Sequence, residues 1–324
     1  MIGALPLGEK MNLYGVVNIA GNIVLNSESA TPVKNIITDL YYFLSVIIER
    51  PEMYGLFHMI SLGITAILTL ILCVFFRNAR DRTMRLIVGF FWCAMLVFEL
   101  LDQFVIGTSV VDGILVFNYQ WRTFPFQLCN TGLWVMPLIV LMEDGKLRDG
   151  IMLYMGLYSL FGGLLTMVYP VTIFVEVLMT DIHTMVHHGS QVVVGIFLLV
   201  YNRRKINFHS FKYATAVFVS LVGVAVVLNE IGYNLMNAYG LDMSFNMFYI
   251  SPHYNSGLPV FSTFYELLPW WAYLLTYICV FILLAFAIYF IAVALVYVTE
   301  RRKRNDKSNT EASEGDAVST VSVN

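Results

Sequence analysis

Charged residues are scarce in this 324-residue chain: Asp, Glu, Lys and Arg make up 13% of it, whereas 58% of the residues are hydrophobic. The mean hydropathy is +0.72. A water-soluble domain of this length needs a far larger polar surface, so the composition excludes an ordinary soluble protein. The chain also has only four cysteines, too few for a disulfide framework. These scarcities predict a membrane protein, and we expect no nucleic-acid partner.

Other missing features exclude particular classes of membrane protein. No basic segment precedes an apolar core near the N-terminus, which argues against a cleaved signal peptide. No lysine lies between Lys212 and Lys303, so a retinal protein, which needs a lysine in its last span, is excluded. The six histidines are too scattered for the histidine boxes of a di-iron desaturase. No internal repeat is visible, and an inverted-repeat transporter therefore has no support.

Seven apolar runs approach the length of about twenty residues that a bilayer requires. We place them at residues 54–76, 86–106, 125–142, 151–168, 183–201, 211–229 and 267–298. A shorter apolar stretch, 33–49, ends before Pro51 and is predicted to lie on the membrane surface or to cap the bundle. The predicted fold is therefore all-α, a polytopic membrane bundle of seven transmembrane helices.

The basic residues predict how these helices are oriented. Most of the 19 Lys and Arg residues fall in three loops and the tail, all on one side of a seven-span bundle. By the positive-inside rule this side is cytoplasmic, with the N-terminus outside. We expect an extracytoplasmic segment with a short interfacial helix (1–53), a seven-helix membrane domain (54–298) and a disordered cytoplasmic tail (299–324). The membrane would be the plasma membrane in a prokaryote and an endomembrane in a eukaryote.

Polar residues cluster near the predicted outer ends of the spans. Ionisable groups within spans are costly and usually face a cavity or one another. The residues that we expect to line one outward-facing pocket are Glu99, Asp102, Gln127, Cys129, Asn130, His183, His187, His188, Gln191, Asn229 and Glu230. For those nearest the helix ends, the alternative is that they simply reach head groups and water.

Cys129 lies four residues after Pro125, at the predicted mouth of the third span. Proline suits the first turn of a helix, so the thiol would lie near the positive end of the helix dipole. At 1.5 Å per residue, Cys129 lies roughly 6 Å along its span and His188 roughly 7.5 Å along the fifth, so the two share a depth. A dipole and a neighbouring imidazole are the usual means of making a thiolate. This predicts Cys129 as nucleophile and His188 as base.

Five other residues of the predicted pocket would support this chemistry. Gln127, Asn130 or the backbone amides of the third span would stabilise an oxyanion. Asp102, Glu99 or Glu230 would orient the histidine, as the third member of a catalytic triad does.

Two alternatives use the same residues differently. His183 and His187 are four residues apart on one helix face, which also suits a zinc-dependent intramembrane hydrolase with Asp102 or Glu230 as third ligand. Adjacent histidines point about 100° apart, so only one of His187 and His188 faces the thiol, and His187 is expected to be a hydrogen-bonded core residue. The other alternative is a transporter or lipid-binding protein whose polar cavity binds without chemistry.

Three segments resemble motifs of the YwaF-like integral membrane family, which includes transmembrane protein 164. Pro125-Phe-Gln-Leu-Cys129 resembles its Leu-Pro-(Leu/Phe)-(His/Gln)-Leu-Cys signature, and His188-Gly189 before an apolar run resembles its His-Gly segment. Glu266-Leu-Leu-Pro-Trp-Trp-Ala-Tyr273 resembles its Pro-Trp-Trp-Tyr entry to the last span. The likeness covers residues 54–298. One departure is Gln127, which stands where many members have histidine.

The resemblance implies a membrane acyltransferase with Cys129 as nucleophile and His188 as base. Such an enzyme, or a lipase-like acyl hydrolase, would act on phospholipid acyl chains in a cavity open to the extracytoplasmic side. It requires no metal or soluble cofactor, and its partners are membrane phospholipids.

Overall fold

The computed structural model describes residues 22–24, 32–111, 114–170, 173–241 and 243–321. The chain is mostly helical, as predicted. The helices are α1 (Pro32–Leu44), α2 (Leu56–Phe75), α3 (Asp81–Gly107), α4 (Gly132–Leu141), α5 (Lys146–Tyr154), α6 (Leu160–Val168), α7 (Leu178–Tyr201), α8 (Phe208–Tyr239), α9 (Phe261–Leu267) and α10 (Trp270–Val321).

A small antiparallel sheet accompanies the helices, although the sequence predicted an all-α fold. Its strands are β1 (Asn22–Val24), β2 (Thr108–Val111) and β3 (Ile114–Asn118), in the order β1-β3-β2. Strands β2 and β3 follow α3 directly and are separated by Asp-Gly in the sequence, a pair that favours a tight hairpin turn. The sheet therefore covers the end of α3.

Within the described part of the chain, six helices are long and apolar enough to cross a membrane. They are α2, α3, the continuous helix Lys146–Val168, α7, α8 and the Trp270–Val298 part of α10. The continuous helix consists of α5 and α6, joined by a π-helical turn at Met155–Ser159. These helices agree with a multi-pass integral membrane protein.

The predicted third span, 125–142, is not one full-length helix. It contains a 3-10 turn, Leu128–Thr131, followed by α4, and the combined apolar helix is shorter than the other six. At 1.5 Å per residue its length is about 21 Å, against a hydrocarbon core of about 30 Å. Phe124, which precedes Pro125, has a ψ of 128°, and Gln127 is extended with a ψ of 162°, so the helix begins only at Leu128.

This short helix runs antiparallel to α3. At its start Asn130 donates a hydrogen bond to Glu99, in the second half of α3. At its end the carbonyl of Val140 accepts a hydrogen bond from Arg85, in the second turn of α3. The segment 130–140 therefore follows the part of α3 between Arg85 and Glu99, in the opposite direction.

Charged residues join several helices at one end of the bundle. Arg148, which is buried, donates a hydrogen bond of 2.7 Å to Asp81. Lys205 Nζ lies 3.0 Å from Asp144 and 2.9 Å from Asp149. Burial alone would lower the pKa of Lys205, but its hydrogen bonds to the two aspartates leave that pKa raised. These contacts hold the starts of α3 and α5 against the end of α7.

The opposite end carries the sheet and α1. His58 Nε2 lies 2.7 Å from the carbonyl of Met167, which joins the start of α2 to the end of α6. The predicted interfacial helix at 33–49 is the shorter α1, and the chain beyond it forms a β-bridge between Ile47 and Val177.

The C-terminal helix is longer than the predicted last span. Helix α10 continues past Val298 to Val321, and the disordered cytoplasmic tail expected at 299–324 stays a prediction. Arg, Lys and Glu are frequent in residues 300–311, and no proline interrupts them. These residue types have high helix propensity, which is why a polar sequence there is compatible with a helix.

Candidate functional site

One face of α7 and one face of α3 meet through ionisable side chains. His183 and His187 are one turn apart on α7, and Glu99 and Asp102 are about one turn apart on α3, so each pair shares a face. His183 Nε2 lies 3.0 Å from Glu99 Oε2, and His183 Nδ1 lies 3.2 Å from Asp102 Oδ2. Both carboxylates are buried. The structure thus brings together four of the residues predicted to share a pocket.

His187 links this cluster to the cysteine. Its Nε2 lies 3.2 Å from the backbone carbonyl oxygen of Cys129. A carbonyl only accepts hydrogen bonds, so the ring proton is on Nε2 and Nδ1 carries a lone pair. Nδ1 lies 3.8 Å from Glu99 Oε2 and has no hydrogen-bond partner among the described residues. His187 was predicted to be a hydrogen-bonded core residue, but only one of its two ring nitrogens makes a hydrogen bond within the part of the chain that the structure describes.

Cys129 lies at the start of the 3-10 turn that precedes α4. Its backbone carbonyl accepts a second hydrogen bond, from the side-chain amide of Gln191. Its thiol donates a hydrogen bond of 3.1 Å to Asn130 Oδ1, and Asn130 Nδ2 lies 3.3 Å from Glu99 Oε2. The cysteine is thus attached to α7 through its main chain and to Glu99 through its neighbour.

His188, the predicted base, is connected to Cys129 indirectly. Its Nδ1 lies 3.2 Å from Gln191 Oε1, and the same amide group donates through Nε2 to the Cys129 carbonyl. Within the described part of the chain, Asn130 is the hydrogen-bond partner of the thiol. The structure brings Cys129 and His188 to one site, but the expected hydrogen bond between them stays a prediction.

Gly163 allows α6 to lie directly against this part of α7. A Cβ atom on Gly163 would meet the backbone oxygen of His188 at 2.9 Å and Gln191 Cβ at 2.9 Å. Neither atom is at the flexible end of a side chain, so a larger residue at position 163 would push the two helices apart. The neighbouring Gly162 is less crowded, since its Cβ would meet Cys129 Cβ at 3.7 Å.

Two residues of the predicted pocket hold a loop instead. Asn229 is buried in α8 and bonds to both backbone groups of Met247, at 2.6 Å and 3.0 Å. Gln127 Nε2 donates a hydrogen bond of 2.8 Å to the carbonyl of Asn246. Both amides therefore fix the segment between α8 and α9.

Glu230 lies outside the cluster. Its side chain is 46% exposed, and one of its oxygens lies 3.1 Å from His253 Nε2. Consecutive residues of a helix point about 100° apart, so with Asn229 buried the next side chain faces outward. Glu230 is therefore neither the orienting group nor the third zinc ligand that the sequence analysis considered.

Gln103 and Thr180 complete the cluster, and neither was assigned a chemical role from the sequence. Gln103 Nε2 donates to Glu99 Oε1 at 2.9 Å, and Thr180 Oγ1 donates to Asp102 Oδ1 at 2.7 Å. The spacing of Gln103 four residues after Glu99, and of Thr180 three residues before His183, puts each on the face of a predicted site residue. Helical spacing was the signal that identifies both.

An apolar groove of about 660 Å³ passes along Glu99, between α3 and the segment that leads into α4. It is lined by Trp92, Leu96, Glu99, Leu100, Gln103, Phe104, Phe117, Tyr119, Phe124, Pro125, Leu133, Trp134 and Pro137. Leu100 and Trp134 are exposed, so the groove opens on the outer surface of the bundle. Burial, together with the Glu99 charge, raises the pKa of Tyr119 to about 12, so its hydroxyl stays protonated at neutral pH.

Comparison with known proteins identifies the family. The model of the TMEM164 family matches residues 53–306, which include all the predicted site residues and most of the chain. No significant match is found among curated proteins or among solved structures. The match confirms the resemblance to transmembrane protein 164, and with the six apolar helices it confirms the predicted membrane localisation. This multi-pass integral membrane protein belongs to the TMEM164 family.

Proposed function

We propose that this protein is a membrane-embedded acyltransferase, or acyl hydrolase, that acts on phospholipid acyl chains with Cys129 as nucleophile and His188 as base. The observation that carries the proposal is the attachment of Cys129 to α7. Its backbone carbonyl is held by His187 and by Gln191, and Gln191 also contacts the predicted base. A nucleophile fixed by its main chain keeps its position while its side chain turns.

The apolar groove supports a lipid substrate. It opens where the lipid tails of a surrounding bilayer would lie, and its wall includes the buried Glu99, which belongs to the polar cluster. Its volume falls within the usual range for sites that bind small molecules, about 300–1,000 Å³. A phospholipid acyl chain in the groove would therefore bring its ester group towards Asn130 and Cys129.

The orientation in the membrane is part of the same proposal. We infer seven crossings, because the segment containing α4 runs antiparallel to α3 and leads to the basic loop before α5. The basic loops would then be cytoplasmic and the N-terminus extracytoplasmic, with the membrane domain at 54–298. On this topology the polar cluster and the groove open towards the extracytoplasmic leaflet.

In the proposed reaction the Cys129 thiol gives its proton to His188, and the thiolate attacks the carbonyl carbon of a phospholipid ester. A C–S bond forms as the ester C–O bond breaks, and the proton passes from His188 to the departing lysophospholipid oxygen. A lipid hydroxyl, or water, then gives its proton to His188 and attacks the thioester. The C–S bond breaks, and His188 returns the proton to the sulfur.

These reaction steps require the Cys129 thiol to change its hydrogen-bond partner from Asn130 to His188 when substrate enters. Catalytic hydrogen bonds are often long or misaligned without substrate, and the proposed exchange is a rotation of the cysteine side chain. Asn130 Nδ2, which has a second N–H besides the one that faces Glu99, is then a candidate to stabilise the oxyanion. Gln127, the other predicted oxyanion group, is engaged with Asn246.

Lipid turnover by the purified protein tests the proposal. In vesicles that contain a phospholipid with an isotope-labelled acyl chain, Cys129→Ser and His188→Ala should abolish both transfer of the label to a second lipid and release of labelled fatty acid. Cys93→Ser is the matched control, because Cys93 is exposed on α3 and lies outside the cluster. Full turnover in Cys129→Ser would overturn the proposed chemistry.

A lipid-binding or transport role is the second candidate, and the groove is the observation that favours it. Such a protein would move labelled lipid between leaflets or bind it without changing its ester bonds. Lipid movement that survives Cys129→Ser, with no change in lipid composition, would support this function instead.

A further inference from the structure

Three metal-ligating atoms converge inside the cluster between α3 and α7. They are Glu99 Oε2, one ring nitrogen of His183 and one of His187, and all lie within 4.8 Å of one another. His183 Nε2 and His187 Nδ1 lie 3.0 Å and 3.8 Å from the carboxylate oxygen. Tetrahedral zinc with ligands at about 2.0–2.1 Å separates neighbouring ligand atoms by about 3.3 Å. These two spacings lie on either side of that value, and the two imidazole nitrogens lie within 4.8 Å of each other, so side-chain movements would complete the site.

The hydrogen bonds made by the second ring nitrogen of each histidine also support a metal site. Asp102 accepts from His183 Nδ1 at 3.2 Å, and the Cys129 carbonyl accepts from His187 Nε2 at 3.2 Å. Metal-bound histidines almost always donate their second N–H to a carboxylate or a backbone carbonyl, which fixes the ring and its tautomer. Gln103 likewise holds the other oxygen of Glu99. Each of the three ligands therefore has the outer partner that a metal site requires.

The lone pair on His187 Nδ1 favours a bound metal ion, rather than a proton, as the group that joins these three side chains. A proton on His183 Nε2 would satisfy the pair formed by His183 and Glu99, but His187 Nδ1 would still face a carboxylate oxygen with no donor between them. His187 is 2% exposed, and this nitrogen has no hydrogen-bond partner among the described residues. Buried polar atoms are rarely left in this state. One cation between the three atoms satisfies all of them.

The balance of charge supports a divalent cation. Glu99 and Asp102 are both buried and form ion pairs with a single histidine, His183. With that histidine protonated, these three side chains carry a net charge of −1 in a buried region, which is costly. With neutral histidines and a doubly charged cation, the group is neutral.

We propose that Glu99, His183 and His187 form a binding site for a divalent transition-metal ion of the zinc type. Two imidazole nitrogens and one carboxylate oxygen suit zinc, and three protein ligands leave a fourth position for water or a carbonyl oxygen. Asn130 contacts both Glu99 Oε2, at 3.3 Å, and the Cys129 thiol, at 3.1 Å. The metal site does not depend on Cys129 as nucleophile.

Metal content tests the site directly. The full-length protein, purified without a polyhistidine tag and exchanged into metal-free buffer, should retain about one zinc per chain by inductively coupled plasma mass spectrometry. Glu99→Gln, His183→Gln and His187→Gln should each lower that content at least tenfold. His188→Gln is the matched control, because His188 is the next residue of the same helix and bonds to Gln191 instead. It should retain the metal.

Three results would overturn the site. The first is a folded wild-type protein with no metal that takes up none when zinc is added, which would leave a carboxylate–histidine ion pair. The second is equal loss in His188→Gln. The third is a sulfur neighbour at about 2.3 Å in X-ray absorption spectra, because that distance would make a cysteine a ligand. Cys129→Ser should retain the metal, so failure of the thiol chemistry and failure of the metal site are separable.

Discussion

The side-chain amide of Gln191 donates a hydrogen bond to the backbone carbonyl of Cys129, and its oxygen lies 3.2 Å from His188 Nδ1. One glutamine thus connects the proposed nucleophile with the proposed base, although the two residues lie on different helices. Gln191 itself is fully buried. Its amide can make both contacts in one orientation only, with nitrogen towards Cys129 and oxygen towards His188.

Removing this amide should disable the site with little effect on the fold. Gln191→Leu keeps the volume but loses both contacts, so the Cys129 carbonyl and the His188 ring are freed to shift. A misplacement of about 1 Å can lower a catalytic rate about 100-fold, and we expect a loss of that order in kcat. Acyl turnover in vesicles measures it, with thermal unfolding as a check on the fold. Gln120→Leu, outside the site, is the control, and equal losses in both variants would contradict the role of Gln191.

Glu99 should matter more for stability than Glu230, although both form an ion pair with histidine. Glu99 is 4% exposed and Glu230 is 46% exposed at the side chain. Breaking a buried ion pair by removing one partner typically costs about 3–5 kcal/mol, whereas an exposed pair contributes little. Glu99→Gln should therefore lower the Tm in detergent by several degrees, and Glu230→Gln should leave it almost unchanged. Equal Tm values for the two variants would contradict the burial of the cluster.

A methyl group at Gly163 should displace α7 from α6. The new Cβ would meet His188 and Gln191 atoms at 2.9 Å, and overpacking of this kind costs about 1–3 kcal/mol. We expect Gly163→Ala to lower both the Tm and the acyl turnover. Gly223→Ala in α8 is the control, because a Cβ there meets nothing within 4 Å. It should be neutral or slightly stabilising, since alanine favours helices.

Narrowing the groove should change the preference for acyl chain length. Leu100 lines the groove and is exposed, so tryptophan at this position adds bulk without disturbing the core. One methylene in an apolar site alters kcat/KM by about 10-fold or more, and we expect Leu100→Trp to reduce kcat/KM for long acyl chains by at least that factor while short chains are spared. Val97→Trp, exposed on the same helix but outside the groove, is the matched control. An unchanged chain-length profile would exclude the groove as the acyl site.

The predicted depth of polar residues in their spans was sufficient to bring together the residues of the cluster between α3 and α7. Four of these residues lie on the inward face of a long helix: Glu99, Asp102, His183 and His187. Polar side chains that face the inside of a bundle usually contact one another. Glu230 is the residue for which this prediction was wrong. It lies in a span near the predicted depth, yet it faces outward, because depth alone does not specify the rotation of a helix about its axis.

Irregular backbone was harder to predict. Pro125 and Cys129 identified the entry to the third span, but the 3-10 turn at Leu128–Thr131 follows from tertiary contacts, including the bonds of the Cys129 carbonyl to α7. Those contacts join residues far apart in the sequence. The hairpin of β2 and β3 was predictable in principle, since an Asp-Gly pair lies between two runs of β-branched and apolar residues.

The most direct measurement is the identity of the residue that carries the acyl group. Protein incubated with a phospholipid bearing an isotope-labelled acyl chain, denatured rapidly in acid and digested, should yield a labelled thioester on the peptide containing Cys129. The label should be absent in Cys129→Ser and retained in Cys93→Ser. A labelled residue other than Cys129, or continued acyl transfer without any acylated cysteine, would contradict Cys129 as the nucleophile.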